Sequence, residues 1–278
     1  MRICITADST CDIPKNLLEQ YDIHLMPITI MLGEDVRHDG IDVTPEDIFN
    51  FVGESGELPK TSAINQYEYS EFFKGYLKDY DAIIHFSLSF AISSTGNNAR
   101  LAASELENVY VIDTKSLSSG SGLLVLSCVD KIQEGKDVQT IVEELENEAH
   151  KVQASFLVDT LKYLHKGGRC SSLALLGANV LKIKPRISLV DGRMQVTKKY
   201  MGRVEDALLK YFNDIIKEVP PNLKRAFVTY SSPVDPAREI LIHKLKEMGF
   251  SEVYETSACA TICTHCGRKT LGVLYMAE

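Results

Sequence analysis

Residues 81–105, DAIIHFSLSFAISSTGNNARLAASE, decide the fold of the first half of the chain. The apolar run Asp81–Ser87 predicts a buried strand, and residues 98–105 favour a helix. Three consecutive hydroxyls, Ser93, Ser94 and Thr95, lie at the junction. A helix N-terminus attracts anions through its unpaired N–H groups and its dipole. One hydroxyl would suffice as a helix cap, so the surplus indicates a site for a weakly charged, partly buried anion.

Composition limits the classes of protein that this chain can represent. It has 278 residues, 45% of them hydrophobic, which is enough for two domains. The net charge of −8 argues against non-specific nucleic-acid binding. No signal peptide or membrane-spanning run is apparent, and the seven cysteines are scattered rather than arranged as a disulfide framework. We therefore expect a reduced, soluble, cytoplasmic protein.

The first half alternates short apolar runs with helical patterns, which is typical of βαβ units and a parallel sheet. Helix starts are predicted at Thr44, after Asn65 and, with Asp12 as the cap, near Pro14. Residues 36–43 carry a turn signal and predict a small hairpin or flap. The predicted strands are Ile3–Ala7, His24–Met31, Asp81–Ser87 and Val109–Asp113.

The pattern changes near residue 150 and predicts a second domain with a mixed sheet. Asp191-Gly192 separates two apolar runs and is a strong hairpin signal. Helices are predicted over Leu161–His165, from Val204 and over Pro236–Met248. The predicted strands are Phe156–Asp159, Ile187–Val190, Met194–Thr197, Ala226–Tyr230, Val253–Thr256 and Gly272–Met276. We divide the chain into domains at 1–153 and 154–278.

Two further hydroxyl-rich loops are expected at the same carboxyl edge of the parallel sheet as Ser93. Thr61-Ser62 ends a polar loop and could cap the next helix. The run Ser116–Gly122 follows a strand, and Ser119 and Gly120 within it would let the backbone approach a ligand. Open α/β sheets bind ligands at this edge, so three such loops together favour a binding site.

Several catalytic motifs are missing, and one cysteine cluster leaves an alternative open. The sequence has no P-loop, no complete dinucleotide fingerprint and no G-x-S-x-G elbow. The thiols of Cys259, Cys263 and Cys266 have spacing that could bind an iron–sulfur cluster, or zinc with His265. Ordinary buried thiols in a loop and strand are the expected alternative, with His265 in a turn.

A series of short motifs runs along essentially the whole chain: Thr6-Ala-Asp8-Ser9, Lys60-Thr61-Ser62, Ser89–Thr95, Val111–Thr114, Val158–Leu161, Gly167-Gly168-Arg169, Lys184-Pro185, Gly202-Arg203, and His265 with Gly267. No single motif is specific, but the order and spacing of the motifs are. In this order and spacing the sequence resembles the DegV family, the fatty-acid-binding proteins of bacterial fatty acid kinase. The sequence departs from the usual family pattern after Ser93, after Ser62 and after His265.

The resemblance implies an α/β fold of two domains with one long-chain fatty acid in a tunnel between them. The N-terminal domain would be a three-layer α/β/α parallel sheet, and the C-terminal domain a two-layer α/β mixed sheet. Ser93, Thr61 and His265 would bind the carboxylate, with Ser62, Ser94 and Thr95 beside them. Ser119 and Gly120 could add backbone contacts, and Arg203 would dock the catalytic subunit of fatty acid kinase.

The family role implies a lipid carrier without catalytic residues, metal or cofactor and without stable membrane insertion. The kinase subunit would phosphorylate the bound acid, and the acyl phosphate would enter phospholipid synthesis. Leucine-rich helix faces could line the tunnel, and Leu173–Gly177 is the best candidate segment. The other candidates are Leu157, Leu161, Leu164 and Val180.

Two other functions remain open from the residues. One is a serine-dependent acyl hydrolase or transferase that uses Ser93 as nucleophile and His265 as base. The other is a metal-dependent or redox protein that uses Cys259, Cys263 and Cys266. The missing elbow motif argues against the first, and the position of the cysteines near the C-terminal end of the sequence argues against the second.

Overall fold

The computed structural model describes residues 1–170 and 183–278. The first half alternates strands and helices in this order: β1 (Ile3–Asp8), α1 (Lys15–Gln20), β2 (Ile23–Met26), β3 (Thr29–Leu32), β4 (Asp35–His38), α2 (Pro45–Ser55), β5 (Lys60–Ser62), α3 (Gln66–Tyr76), β6 (Ala82–Ser87), α4 (Thr95–Ala103), β7 (Val109–Asp113), α5 (Ser119–Gln133), α6 (Val138–Glu148). The second half continues with β8 (Val152–Gln153), β9 (Ser155–Leu157), α7 (Lys162–Gly167), β10 (Ile183–Val190), β11 (Arg193–Met201), α8 (Val204–Glu218), β12 (Pro221–Tyr230), α9 (Ala237–Glu247), β13 (Glu252–Ser257), α10 (Ala260–Cys266) and β14 (Leu271–Ala277).

A parallel sheet with strand order β2-β1-β6-β7 forms the centre of the N-terminal domain. All residues of β6 are buried, as expected for a strand covered on both faces. On one face, Ile84 packs with apolar residues of α5 and α6. On the other face, Ile83 packs against Tyr69 and Phe73 of α3 and against alanines of α4. The predicted three-layer α/β/α arrangement is confirmed.

The predicted strand His24–Met31 is wrong, because the structure divides it at Pro27. Proline lacks the N–H group that a central strand needs, so the chain leaves the parallel sheet there. Residues on its two sides belong to β2 and to β3, which lies in a separate antiparallel sheet of order β4-β3-β5. β3 and β4 form the predicted hairpin, and Ile30 of β3 is fully buried.

The C-terminal domain contains a mixed sheet with the order β11-β10-β9-β14-β12-β13, and β8 pairs with β14. β10 and β11 form the hairpin predicted from Asp191-Gly192, with Gly192 at φ +74°. Helices α8 and α9 cover one face through a cluster that includes Tyr211, Leu241 and Val273. The fold prediction of two α/β domains with a parallel and a mixed sheet is therefore confirmed.

Helix starts show which sequence signals were sufficient. Thr44 and Asn65 form capping boxes at α2 and α3, as predicted. Asp12 does not cap α1: Pro14 occupies that position, and the Asp12 carboxylate is buried elsewhere. Thr61 and Ser62 lie in β5, so neither of them caps a helix. His265 lies in the last turn of α10. The expected loop and strand around Cys259, Cys263 and Cys266, with His265 in a turn, were therefore wrong.

The two domains share apolar and polar contacts. Phe227 and Leu274 of the C-terminal sheet pack in the same cluster as Leu123 of α5. The Ser89 hydroxyl donates to the carbonyl of Gly192 at 2.8 Å, so the hairpin tip contacts the loop after β6. We keep 1–153 and 154–278 as proposed domains, although β8 pairs with β14 of the C-terminal sheet.

Candidate functional site

A cavity of about 180 Å³ lies between the loops after the parallel strands and helix α10. Every residue that the sequence suggested for carboxylate binding contributes to its wall: Thr61, Ser62, Ser93, Ser94, Thr95 and His265. The structure therefore brings together side chains that lie more than two hundred residues apart in the sequence. Its other lining residues are Thr10, Ile28, Ala63, Leu88, Ile92, Leu117, Arg169, Met194, Thr261, Ile262 and Cys266.

The polar end of the cavity centres on a contact between the two domains. Thr61 Oγ1 and His265 Nε2 are hydrogen-bonded at 2.9 Å. Thr61 is placed by the pairing of β5 with β3, opposite Ile30. His265 is placed by α10, which packs against α2 and β5. A ligand oxygen near this pair would therefore meet both domains.

His265 is electrically neutral at physiological pH in this setting. Burial, followed by the nearby Arg169 cation, lowers its pKa to about 4. The Nδ1 atom is fully buried and has no hydrogen-bond partner in the described ranges. A Cβ at Gly167 would lie 2.8 Å from that Nδ1, so this glycine allows the close packing of the ring. The histidine can thus offer one N–H or one lone pair without adding charge to the site.

Ser93 is both a structural and a candidate binding residue. Its hydroxyl donates to Thr95 Oγ1 at 2.9 Å and accepts from the Thr95 N–H at 3.2 Å. Ser94 occupies the N-cap position of α4 but makes no side-chain cap bond. The hydroxyl of Ser93 accepts the hydrogen bond from the first helical N–H group instead. Thr95 is fully buried, whereas Ser94 is exposed. The Ser93 oxygen keeps a further lone pair for a ligand donor, and its proton can be redirected to a ligand acceptor.

Two buried carboxylates of the N-terminal domain hold the beginning of α10. Asp39 accepts from the N–H groups of Ala260 at 3.0 Å and Thr261 at 3.3 Å. Asp12 accepts from the N–H of Cys259 at 2.9 Å and from the hydroxyl of Ser118 at 2.5 Å. Carboxylates are favourable partners for the free N–H groups at a helix start. Helix α10 is therefore fixed by the opposite domain rather than by its own cap.

Burial also changes the acidity of the Asp12 carboxyl group. It raises the pKa of Asp12 to about 7, against the lowering effect of the bonds from Ser118 and Cys259, and the nearby Asp39 charge adds to the rise. Asp12 therefore changes charge near neutral pH while it contacts the residue that precedes α10. This position makes it a testable reporter of the interdomain contact.

An apolar path leads away from the polar end of the cavity. Ile262 and Cys266 on α10 line the cavity together with Leu117, and all three also line a second, narrow cavity of about 20 Å³. Phe156 and Leu274 in the C-terminal domain complete the wall of that second cavity. The apolar path is defined by these adjoining walls and leads from the hydroxyl cluster towards Phe156 and Leu274.

A basin of about 500 Å³ lies on the other side of the Thr61–His265 pair. Thr61, His265 and Arg169 line both this basin and the inner cavity. Lys60 and Lys166 add further positive charge to the basin, and both are exposed. The polar end of the inner cavity therefore lies next to a cationic surface that solvent can reach.

Other residues suggested by the sequence lie away from the cavity. Ser119 is fully buried and its hydroxyl contacts Thr229 Oγ1 of the C-terminal domain at 2.5 Å, and Gly120 packs against Ser116. The predicted backbone contacts of Ser119 and Gly120 with a ligand stay a prediction. Arg203 is exposed and pairs with Asp206 at 3.2 Å, outside the cavity wall.

The leucines proposed for the tunnel have different places. Leu157 belongs to the core of the C-terminal domain. Leu161 and Leu164 pack in an interdomain cluster with Leu117 and Met194, behind the cavity wall. Residues 173–177, together with Val180, fall outside the described residues. Of the expected leucines that the structure describes, Leu157, Leu161 and Leu164, none lines the cavity wall.

The geometry does not support the two enzyme hypotheses. Ser93 has no hydrogen bond to His265, which contacts Thr61 instead, and within residues 1–170 and 183–278 no carboxylate orients the His265 ring. Burial raises the pKa of Cys263 and of Cys266, which disfavours the thiolates that metals bind. In the described part of the chain, no group of three or more potential ligands could hold a metal ion.

Some lining residues were missed by the sequence reasoning. Arg169 belongs to the Gly167-Gly168-Arg169 motif, which was a signal for this position. Thr10, Thr261 and Met194 gave no local signal, because only the packing of the two domains brings them to the cavity.

Of the helices that the structure describes, none is long and apolar enough to cross a membrane.

Comparisons with known proteins agree with this architecture. The family model described as an uncharacterised protein of the DegV family matches residues 2–278. Protein DegV of Bacillus subtilis is 30% identical over 284 residues, covering 99% of each chain. Its crystal structure, described as a fatty acid binding protein, gives a TM-score of 0.88 at 28% identity with both chains fully covered. A fatty-acid-binding DegV family protein of Thermus thermophilus gives a TM-score of 0.90 at 27% identity with both chains fully covered. On the match over almost its entire length, the chain belongs to the DegV family.

Proposed function

We propose that this protein binds one long-chain fatty acid between its domains and presents the carboxylate to a separate kinase subunit. The observation that carries the proposal is one cavity whose polar end joins Thr61, Ser93 and His265 and whose other end is apolar. Solved relatives with the same fold are described as fatty acid binding proteins, which supports the ligand class.

The apolar path would supply most of the affinity. A long-chain acid buries about 15 methylenes, which contribute roughly 12 kcal/mol at ~0.8 kcal/mol each before the losses of motion on binding are subtracted. The chain would pass Ile262 and Leu117 and continue towards Phe156. Because the second cavity is narrow, its walls would have to separate when the tail enters.

The polar end would set the direction of the ligand. When His265 Nε2–H donates to Thr61 Oγ1, the Thr61 hydroxyl is free to donate to a carboxylate, and the Ser93 hydroxyl can turn from Thr95 to do the same. Each such bond contributes about 1.5–3 kcal/mol, offset by the desolvation of the carboxylate. Arg169 is the cation in this wall, and it is exposed at the side shared with the basin, so the donors nearest the carboxylate are neutral and leave it nucleophilic.

The basin beside this pair supports presentation to a kinase. Lys60, Lys166 and Arg169 offer positive charge where a phosphoryl group would approach the carboxylate from outside. The acyl phosphate would then leave for phospholipid synthesis. We place this exchange in the cytoplasm, where ATP is the available phosphoryl donor. The protein itself would act as carrier and not as the catalyst.

The proposal is tested by separating lipid retention from phosphoryl transfer. Ser93→Ala removes a head-group donor but leaves the apolar path unchanged. We expect fatty-acid affinity to fall about tenfold, which corresponds to the loss of one such bond at ~1.5 kcal/mol, and acyl-phosphate formation, measured with ATP and a fatty acid kinase catalytic subunit, to be at least a hundredfold slower.

The matched control is Ser104→Ala, an exposed serine just after α4 whose hydroxyl bonds to the Leu101 carbonyl. It should match wild type in both assays. If the Ser93 variant bound no lipid yet supported full acyl-phosphate formation, the proposed division between tail and head group would be wrong.

We also propose Arg203 as a docking residue for the kinase subunit, from the family resemblance and its exposure. Arg203→Glu should raise the KM for the kinase subunit at least tenfold and leave lipid affinity unchanged, since the residue lies outside the cavity wall. Arg193→Glu, an exposed arginine on the hairpin that precedes Arg203, is the control. Equal KM values for both variants would contradict this docking role.

A further inference from the structure

Two hydroxyls in the cavity wall have no hydrogen-bond partner in the described residues. They are Thr10 Oγ1 and Thr261 Oγ1, and both atoms are buried. Thr10 is 1% exposed and Thr261 is 7% exposed, and both line the inner cavity. Buried hydroxyls in native proteins nearly always have a partner, so this pair points to a polar group in the cavity.

One carboxylate contacts the two segments that carry the threonines. Asp39 Oδ2 accepts from the Ser9 hydroxyl at 3.0 Å and from the Thr261 N–H at 3.3 Å. Ser9 directly precedes Thr10, so this oxygen joins the segment of Thr10 to the start of α10 beside the cavity that both threonines line. Asp39 Oδ1 accepts from Ala260, and the carboxylate therefore serves backbone and Ser9 donors rather than the two free hydroxyls.

The pair lies apart from the carboxylate end of the cavity. Thr261 and His265 are four residues apart on α10, so they share a face about one helical turn, or roughly 5.4 Å, from each other. Ile28 lines the wall beside the pair, and its N–H bonds to the Ser9 hydroxyl. An acyl chain that starts at Thr61 and His265 would therefore pass the two hydroxyls within its first several carbons.

We propose that Thr10 and Thr261 form a second polar subsite that selects an acyl chain carrying a hydroxyl group near its carboxyl end. A ligand hydroxyl can accept from one threonine and donate to the other, which satisfies both buried oxygens. A plain alkyl chain would cover both threonines and leave them unpaired. The inference rests on the proposed function, because it specifies the substrate class of the same cavity.

The test is a competition between chains that differ by one hydroxyl. Purified, delipidated full-length protein is titrated with palmitic acid and with a positional series of monohydroxylated palmitic acids. We expect one or two neighbouring positional isomers to bind at least about tenfold tighter than palmitic acid, because a site with buried hydroxyls discriminates against a ligand that cannot pair with them.

The variants Thr10→Val and Thr261→Val keep the side-chain shape and remove one hydroxyl each. Each should lose most of the preference and bind palmitic acid at least as well as wild type. Thr256→Val is the control, because this buried threonine of β13 does not line either cavity. If one of the two variants fails to fold, the other carries the test alone.

The outcomes separate this inference from the proposed function. Wild-type protein that binds palmitic acid with no preference for any hydroxylated isomer overturns the subsite and leaves the carrier function intact. A preference that persists in both valine variants also overturns the subsite. Wild-type protein that binds none of these acids overturns both proposals.

Discussion

The two walls of the cavity are built in different ways. The N-terminal wall consists of loops that follow strands, and buried Asp8 fixes one of them by accepting from the Ser87 hydroxyl at 2.7 Å and the Leu88 N–H at 2.9 Å. The C-terminal wall is largely helix α10, whose first N–H groups bond to Asp39 of the opposite domain. One wall is thus stabilised within its own domain, whereas the other depends on the contact between domains. The cavity is therefore a property of the domain pair.

The largest effect is expected from closing the apolar path where both cavities meet. Ile262 lines both cavities, so the larger side chain of Ile262→Trp should occupy the space that the fatty-acid chain needs. We predict at least a thousandfold loss of fatty-acid affinity, about 4 kcal/mol, measured by equilibrium titration of delipidated protein. Ile240→Trp on the exposed face of α9 is the control and should bind like wild type.

Removing the anchor of α10 should produce the next largest effect. Asp39→Ala leaves the Ser9 hydroxyl and the N–H groups of Ala260 and Thr261 without their acceptor. We predict that the free energy of unfolding falls by about 3 kcal/mol, because buried donors left unpaired cost about 1–3 kcal/mol each and do not add fully. The measurement is chemical denaturation.

Two further variants show whether the loss of stability comes from the contact between Asp39 and α10. Asp39→Asn retains one acceptor oxygen and should lose less stability than Asp39→Ala. Asp35→Ala removes an exposed carboxylate that pairs only with Arg37, and it should change stability by less than about 0.5 kcal/mol. Equal losses in Asp39→Ala and Asp35→Ala would show that α10 does not depend on the opposite domain.

The smallest effect concerns pH and the second carboxylate at α10. Because burial raises the pKa of Asp12 to about 7, the folded protein keeps a proton there that the unfolded chain has already lost at pH 6. Stability from this group is therefore lost as pH rises towards 7. Relative to Asp12→Asn, wild type should lose about 1 kcal/mol of unfolding free energy between pH 6 and 7.

The difference between the two proteins is the quantity to measure, since it cancels other titrations. The lowered pKa of His265 has the opposite sign: it makes the folded protein less stable as pH falls below the ordinary histidine pKa. A wild-type-minus-variant difference that stayed constant over this pH range would mean that Asp12 is ionised throughout.

Sequence predicted what local patterns determine. The period of apolar residues gave the parallel strands, the Asp191-Gly192 turn gave the hairpin, and Thr44 and Asn65 gave two helix starts. The hydroxyl cluster predicted the polar end of the cavity, since loops after parallel strands meet at one edge. These features depend on neighbouring residues in the chain or on a general rule of sheet topology.

What the sequence did not predict depends on contacts between distant residues. Helix α10 was missed because its N–H groups are satisfied by Asp39, which no pattern near residue 260 reveals. Asp12 resembled a helix cap but bonds to Ser118 and Cys259 instead. Met194 of the hairpin lines the cavity, whereas Leu161 and Leu164, which were expected in its wall, pack behind it.

Lipid extraction shows whether the space between the two walls holds a long-chain fatty acid with its carboxylate at Thr61 and His265. Protein purified without added lipid is denatured, extracted and analysed by mass spectrometry, with Ile262→Trp purified in parallel. We expect about one long-chain acid per wild-type molecule and almost none in the variant. Wild-type protein free of lipid that also takes up no added fatty acid, or equal lipid in both proteins, would contradict it.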